Sequence, residues 1–304
     1  MRLVHLSDAH WWYPPTRWTE YLNKRLLATA NWFLLNRKSQ LSPRVRQALI
    51  RSASATPRDG FVFTGDASCT GTQLELQVAA SQLDCLREGG LVVSGNHDEY
   101  LWSTRGKLYH VFDRWNHPRA AALAILPIGD VTVIGIDSCY PCGWSKSSGR
   151  VPQAHLRLLE AESCKPGKKI LALHYPVIDK DGELYHRKKP RHGLENADEL
   201  MQILESTPFP PRLIIHGHLH YPFNVERKGF LFSTPGTCAG CTKEHLGSFH
   251  VYDVNGSRVD IHRYSIDLSS LHASELILDH NVFSFPDVFD IPEQMTSGIK
   301  SMLS

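Results

Sequence analysis

Leu91-Val92-Val93-Ser94-Gly95-Asn96-His97-Asp98 runs from an apolar stretch straight into a knot of metal-binding side chains. The Leu-Val-Val run reads as a buried strand, and the glycine with the polar residues after it reads as the turn that ends it. Four other places along the chain repeat the arrangement. Leu3-Val4-His5-Leu6 precedes Asp8-Ala9-His10, Phe61-Val62-Phe63 precedes Gly65-Asp66, Ile170-Leu171-Ala172-Leu173 precedes His174, and Leu213-Ile214-Ile215 precedes Gly217-His218-Leu219-His220. In sheets covered on both faces, functional groups collect in the loops beyond strand ends, so residues distant in sequence meet in one crevice.

Carboxylates, imidazoles and one carboxamide form a mixed oxygen and nitrogen donor set without thiolate. Such a set suits Mn, Fe, Co or Zn better than Ca or a closed structural zinc site. Two divalent ions about 3.5–4 Å apart polarise phosphoryl oxygens, activate water and hold the attacking and leaving oxygens in line, so hydrolysis of a phosphate ester or anhydride is the expected chemistry. Each cluster alone has an ordinary reading: Asp66 after Gly65 is a common turn residue, and an isolated loop histidine is usually solvated or satisfied by a neighbour. With 17 histidines in the chain, His110, His155 and His250, which match no cluster, are read that way. Five clusters in order, each at a strand end, outweigh the separate readings.

These blocks resemble the calcineurin-like metallophosphoesterases over roughly residues 1–264. The resemblance implies a four-layer α/β (α+β) sandwich of two mixed β-sheets flanked by helices, with the site at one sheet edge. It implies Asp8, His10, Asp66 and His220 as ligands of one metal and Asp66, Asn96, His174 and His218 as ligands of a second, with Asp66 bridging. His97 matches the family's catalytic histidine and Asp98 the carboxylate that orients it. Two divalent transition-metal ions are the expected cofactors, Mn2+ first among them, with Fe, Zn and Co as alternatives. The second block reads Gly65-Asp66-Ala67-Ser68 and His174 is followed by Tyr175, departures that point away from the protein Ser/Thr phosphatases and the purple acid phosphatases.

Lys plus Arg (33) nearly balance Asp plus Glu (31), so no global basicity points to nucleic acid as a partner. The chain enters a strand at once and has no apolar run of about 20 residues, so neither a secretory signal nor a membrane span is expected. Seven cysteines in no small-scaffold pattern fit a reducing cytoplasm. The expected location is cytoplasmic, peripheral to the inner membrane. Cys139-Tyr-Pro-Cys142 and Cys238-Ala-Gly-Cys241 have the internal spacing of zinc or redox pairs but lie far apart, and loop cysteines are the plainer reading.

Helices are expected from Ser42-Pro43 to about Ser54, from Gly71 to Arg87, from Val151-Pro152 to Glu162, and after Asn196, whose Glu199 suggests a capping box. Trp18 to Lys38 reads as one helix carrying large apolar groups on three stripes, more than a single core-facing side would use. Flanked by cations and too short to span a bilayer, it suits a cap over an acyl chain or an interfacial helix as well as a buried core helix. Trp12, Arg25 and Trp32 are candidate substrate contacts on this side. Opposite them, the basic segment of the 180–195 loop offers Arg187, Lys188, Lys189 and Arg191 to an anionic headgroup. Residues 265–304 read as a tail wrapping the domain.

An apolar cap facing a basic loop suggests a phosphorylated amphiphile. The segment Asn23-Lys24-Arg25 resembles the bacterial branch that holds UDP-2,3-diacylglucosamine diphosphatases of lipid A biosynthesis and cyclic-nucleotide phosphodiesterase-like proteins. A lipid-linked diphosphate is the first expectation, a cyclic-nucleotide or general phosphodiester the second, and a non-catalytic scaffold the third.

Overall fold

Every second residue of the central strands faces a different core, and this alternation builds the layers. The computed structural model describes residues 1–15, 17–34, 39–144, 146–242, 246–266 and 276–283, with backbone alone for residues 31, 32, 34 and 276–283. Strand β1 (Arg2–Leu6) lies parallel to β2 (Gly60–Phe63), which lies parallel to β3 (Gly90–Val92). On its other side β1 pairs antiparallel with β10 (Ser248–Asn255), followed by β11 (Arg258–Ile266) and the edge strand β12 (Leu276–Phe283). The second sheet runs β4 (Ala124–Ile128), β5 (Val131–Gly135), β6 (Lys168–Ala172), β7 (Leu213–Ile215), β9 (Phe230–Thr234) and β8 (Phe223–Arg227), parallel in the middle and antiparallel at both edges.

In β2, Val62 points into the core between the sheets, with Leu3, Leu91, Ile170 and Leu213, while Phe61 and Phe63 point outward. There they meet Leu49 of α2 (Pro43–Ala55), Leu76 of α3 (Gln73–Leu83) and Leu108 of α4 (Lys107–Val111). In β6 the inner pair is Ile170 and Ala172. The outer Leu171 packs with Leu156 of α5 (Gln153–Ser163) and Leu200 of α7 (Ala197–Ser206). Helix, sheet, sheet, helix is therefore the order of layers, as the family resemblance implied.

Ser42 caps α2, its hydroxyl accepting from Val45 N at 3.4 Å with Pro43 at the first helical position. The box expected at Asn196 does not form. Its carboxamide instead accepts from Val151 N and donates to Val151 O, both at 3.0 Å, tying the start of α7 to the segment before α5. Trp18 to Lys38 is not one helix either: a 3-10 turn (Trp18–Tyr21) is followed by a bend and then α1 (Arg25–Leu34). Asn23 makes the break, its Oδ1 accepting from Arg25 N at 2.9 Å and so offering the backbone a cap in place of continued helix. Residues 35–38 lie outside those described. Strand β4 holds Pro127, which argues against a strand in sequence but is tolerated at an edge. Among the described residues no helix is long and apolar enough to cross a membrane.

Candidate metal centre

The loops after β1, β2, β3, β6 and β7 meet at one end of the sandwich. Ladder bonding continues past the strands, Asp8 N donating to Gly65 O at 3.0 Å and His10 N to Asp66 O at 2.9 Å, so the first two blocks are held side by side. Asp8, His10, Asp66, His218 and His220 all adopt left-handed backbone, with φ between 48° and 72°. Side chains other than glycine rarely sit there, and such strain concentrates at functional positions, with Asp and His among the more tolerant types. Gly95 is required by the same crowding, since a Cβ would lie 2.1 Å from both the N and Oδ1 of Asp66.

Asp8, His10, Asp66 and His220 place one donor atom each within 4.8 Å of one another. His10 Nε2 and His220 Nε2 are 2.9 Å apart, and His220 Nε2 is 3.3 Å from Asp8 Oδ1, an oxygen buried without a hydrogen bond. Burial by itself would raise the Asp8 carboxyl. The surrounding imidazoles, His220 first and then His174 and His10, hold it well below the usual carboxylate range. A buried carboxylate facing imidazole nitrogens fits a cation.

In the second group the backbone carbonyls fix where the protons sit. His174 Nδ1 lies 2.7 Å from Thr64 O, and because a carbonyl only accepts, that nitrogen carries the hydrogen and Nε2 keeps its lone pair. His218 is fixed the opposite way round, with Nε2 donating to His192 O at 3.1 Å and Nδ1 left free. Both free nitrogens face Asn96 Oδ1, at 3.0 and 2.9 Å. Burial holds both rings below the ordinary histidine pKa, and so neutral. Three acceptors this close, with no proton between them, are suited to sharing a positive ion. Asp66 Oδ2 lies between the groups, 3.8 Å from His10 Nε2 and 3.5 Å from His174 Nε2.

His97 stands beside them, its ring centroid 5.0 Å from that of His10. Its Nδ1 donates to Cys69 O at 2.7 Å, which fixes the tautomer. Asp98, expected to orient His97, does other work. Its carboxylate accepts from Ala67 N, Ser68 N, Ser68 Oγ and Gly95 N, locking the second and third loops together, and burial raises its pKa against those bonds.

The floor opens into a cavity of about 630 Å³ walled by Trp12, Lys24, Tyr100, Tyr140, Trp144, Lys146, Tyr185 and Tyr221 among others. Of the expected substrate contacts, Trp12 is in the wall. Arg25 is not: it is buried, its Nε donating to Thr70 O at 3.1 Å with Glu20 4.0 Å away. The Trp32 side chain lies outside those described. Arg187 pairs with Asp198 at 2.6 Å and Lys188 with Asp179 at 2.6 Å, while Lys189 and Arg191 are exposed and absent from the wall. Nearby acids draw the basic loop along the surface, and from that segment only Tyr185 and His192 reach the cavity. The cysteine pairs do not assemble. Cys142 donates to Ser148 O and Cys241 to Ser39 O, and among the described residues the close cluster of His and Asp donors at Asp8 includes no cysteine.

Sequence reasoning did not find the carbonyls of Thr64, Cys69 and His192. Every residue carries a carbonyl, so no side-chain pattern marks the ones that orient histidines. Tyr100 was equally hidden, since a lone tyrosine carries no motif, and Lys24 stood out only within Asn23-Lys24-Arg25, with nothing to mark it as a cavity residue.

A four-layer α/β sandwich with two adjoining carboxylate and imidazole groups at its strand ends defines a metallophosphoesterase. Residues 1–222 match the calcineurin-like phosphoesterases, and the chain belongs to that family. Among solved structures it is similar to a dimetal phosphatase from Danio rerio, with a TM-score of 0.55, 13% identity, and coverage of 91% of this chain and 98% of that one. It is also similar to Vps29 from Entamoeba histolytica complexed with Zn2+ (TM-score 0.45, 14% identity, 93% and 99% covered). A predicted phosphoesterase from Streptococcus pneumoniae gives a TM-score of 0.41 at 12% identity, with 93% and 97% covered. At 13% identity the likeness to the Danio rerio structure speaks to fold alone. No curated protein sequence matches the chain.

Proposed function

We propose that the chain is a two-metal phosphohydrolase that cleaves the diphosphate of a lipid-linked nucleotide of the UDP-2,3-diacylglucosamine type, giving UMP and a diacylglucosamine phosphate. The observation that carries the hydrolase reading is the convergence of unprotonated donors, His174 Nε2 and His218 Nδ1 on Asn96 Oδ1, beside His10 Nε2 and His220 Nε2 at 2.9 Å from each other. Asp8, His10, Asp66 and His220 would hold one divalent ion and Asp66, Asn96, His174 and His218 the other, with Mn2+ first in expectation. Such a pair supplies Lewis acidity toward the phosphoryl oxygens and activation of the attacking water. The chain's own part is to position the phosphate and manage a proton. With Nδ1 donating to Cys69 O, His97 would act in its doubly protonated form, the imidazolium giving its Nε2 proton to the leaving oxygen or stabilising the charge on it.

What supports a lipid-linked substrate is the ground beside the cavity. Leu22, Leu26, Leu27 and Phe33 are between 48% and 72% exposed, and Phe33 meets the cavity-wall Trp12 edge to face at 5.5 Å. Apolar groups this exposed gain from an acyl chain or a membrane surface laid over them. The aromatic wall would also suit the base of a smaller nucleotide phosphodiester, the second reading. The test is hydrolysis by the Mn2+-loaded protein: release of UMP from UDP-2,3-diacylglucosamine at a kcat/KM well above that for bis(p-nitrophenyl) phosphate or cyclic AMP supports the first reading. A preference for cyclic AMP replaces it with the second, and inactivity on all three removes both.

A further inference from the structure

Lys24 sits in the bend between the 3-10 turn and α1, half-buried in the wall of the cavity whose floor is the metal centre. Its ammonium lies 4.2 Å from the centroid of the Tyr100 ring and donates to Cys142 O at 3.1 Å. No carboxylate among the described residues lies within ion-pair distance of it, unlike Lys146, Lys168 and Lys188, each of which has an acidic partner. Burial lowers its pKa, as expected for a cation without a counter-ion. Two of its three N–H donors stay uncommitted.

Tyr100 links this cation to the catalytic histidine. Its ring stacks on His97 with centroids 6.0 Å apart and planes 17° from parallel, and its hydroxyl donates to Lys24 O at 3.2 Å. One face of Tyr100 therefore meets the imidazole at the reacting end and the ring also carries the ammonium further out. A partly buried cation over an aromatic ring, with spare donors and no acid beside it, is arranged to receive an anion from the cavity.

We propose that Lys24, held by Tyr100 and Cys142 O, is the subsite for a second anionic group of the substrate, placed beyond the phosphate that the metal centre holds and on the His97 side. This rests on the phosphohydrolase reading and deepens it: the site would select substrates with two linked phosphates over simple monoanionic diesters. The recognition is set by a point charge, so the chemical class is a diphosphate or another closely spaced dianion rather than a particular nucleotide.

Calorimetric binding to the Mn2+-loaded protein separates this from the hydrolase reading, because it needs no turnover. Two probes are used, methylenediphosphonate with two anionic groups and methylphosphonate with one. K24M keeps the aliphatic stem and removes the charge, while K24R keeps the charge. The expected result is that K24M weakens methylenediphosphonate at least tenfold more than it weakens methylphosphonate, and that K24R recovers most of the loss. Equal weakening of both probes would assign Lys24 a purely structural part in clasping the 139–144 loop, and no change, or no binding by the parent protein, would also overturn the subsite. Binding with the expected pattern in a protein that hydrolyses nothing would leave the subsite standing and bring down the hydrolase reading instead.

Discussion

The floor of the cavity and its rim are built on opposite terms. Asp8, His10, Asp66 and His174 are almost wholly buried, and three of them sit on left-handed backbone held by strand ladders. The rim from Trp18 to Phe33 keeps large apolar groups in the open, Trp18 at 74% exposure. Strain and burial on the floor make sense only if something bound there repays them, since left-handed residues cost on the order of 1–3 kcal/mol each. Exposed apolar area on the rim is likewise incomplete without an occupant. On the proposed function the floor would carry the reaction and the rim would select what is brought to it, and variants of the two should fail differently.

The sharpest break comes at Asp66, the one residue shared by both proposed ligand groups. Asp66→Ala removes the oxygen lying between His10 and His174, and kcat on any phosphodiester should fall by more than about 10⁴-fold, the scale expected when both charge-stabilising groups are lost together. Metal content measured on the purified variant should drop below that of the parent while the circular dichroism is retained. Full activity with normal metal content would end the two-group description. His97→Ala comes next. It leaves every proposed ligand in place, so metal content should hold while kcat falls by ~10²–10⁴. Loss of metal in this variant would make His97 a ligand.

The floor was legible in the sequence because its side chains are of special types at fixed places after apolar runs. The two sheets followed from the same runs, with Val62 and Phe63 already alternating as a two-faced strand must. Less visible was whatever depends on the backbone or on pairing at a distance. Asn23 breaking the expected helix through its own side chain looks like any asparagine, and Arg187 turning to Asp198 needs the fold to bring the acid near. Nor did the sequence show that the carboxylate next to His97 is aimed by its loop toward Ser68 and Gly95. Adjacency along the chain says little about direction at a turn.

The rim should fail in a substrate-selective way. Leu27→Ser and Phe33→Ser change exposed positions, so thermal stability should move by less than about 0.5 kcal/mol. If an acyl chain rests there, losing three methylene contacts at ~0.8 kcal/mol each costs ~2.4 kcal/mol, roughly fifty-fold in kcat/KM for the diacylated substrate. Hydrolysis of bis(p-nitrophenyl) phosphate should be spared by comparison. Equal losses on both substrates would mean the rim supports the floor mechanically, and the contrast between them would dissolve.

The smallest expected effect separates the floor from the polar layer behind it. His250 lies between the sheets with Nδ1 3.2 Å from Ser233 Oγ and Nε2 buried without a partner, and burial, aided by Arg263, lowers its pKa to about 3. The native state keeps this ring neutral, whereas the unfolded chain protonates it near pH 6.5. Between those values the unfolded state binds more protons, so its contribution to stability is complete above about pH 6.5 and is lost as pH falls toward 3. From pH 7.5 to 5.5 that one ring should remove about 1.4 kcal/mol, as the unfolded histidine protonates while the native one does not. Denaturant unfolding at the two values, for the parent and for His250→Asn, isolates the contribution: metal release by the floor histidines is common to both proteins and cancels, so the variant should show a shallower acid slope by that amount. An unchanged slope would remove His250 from the acid sensitivity of the fold.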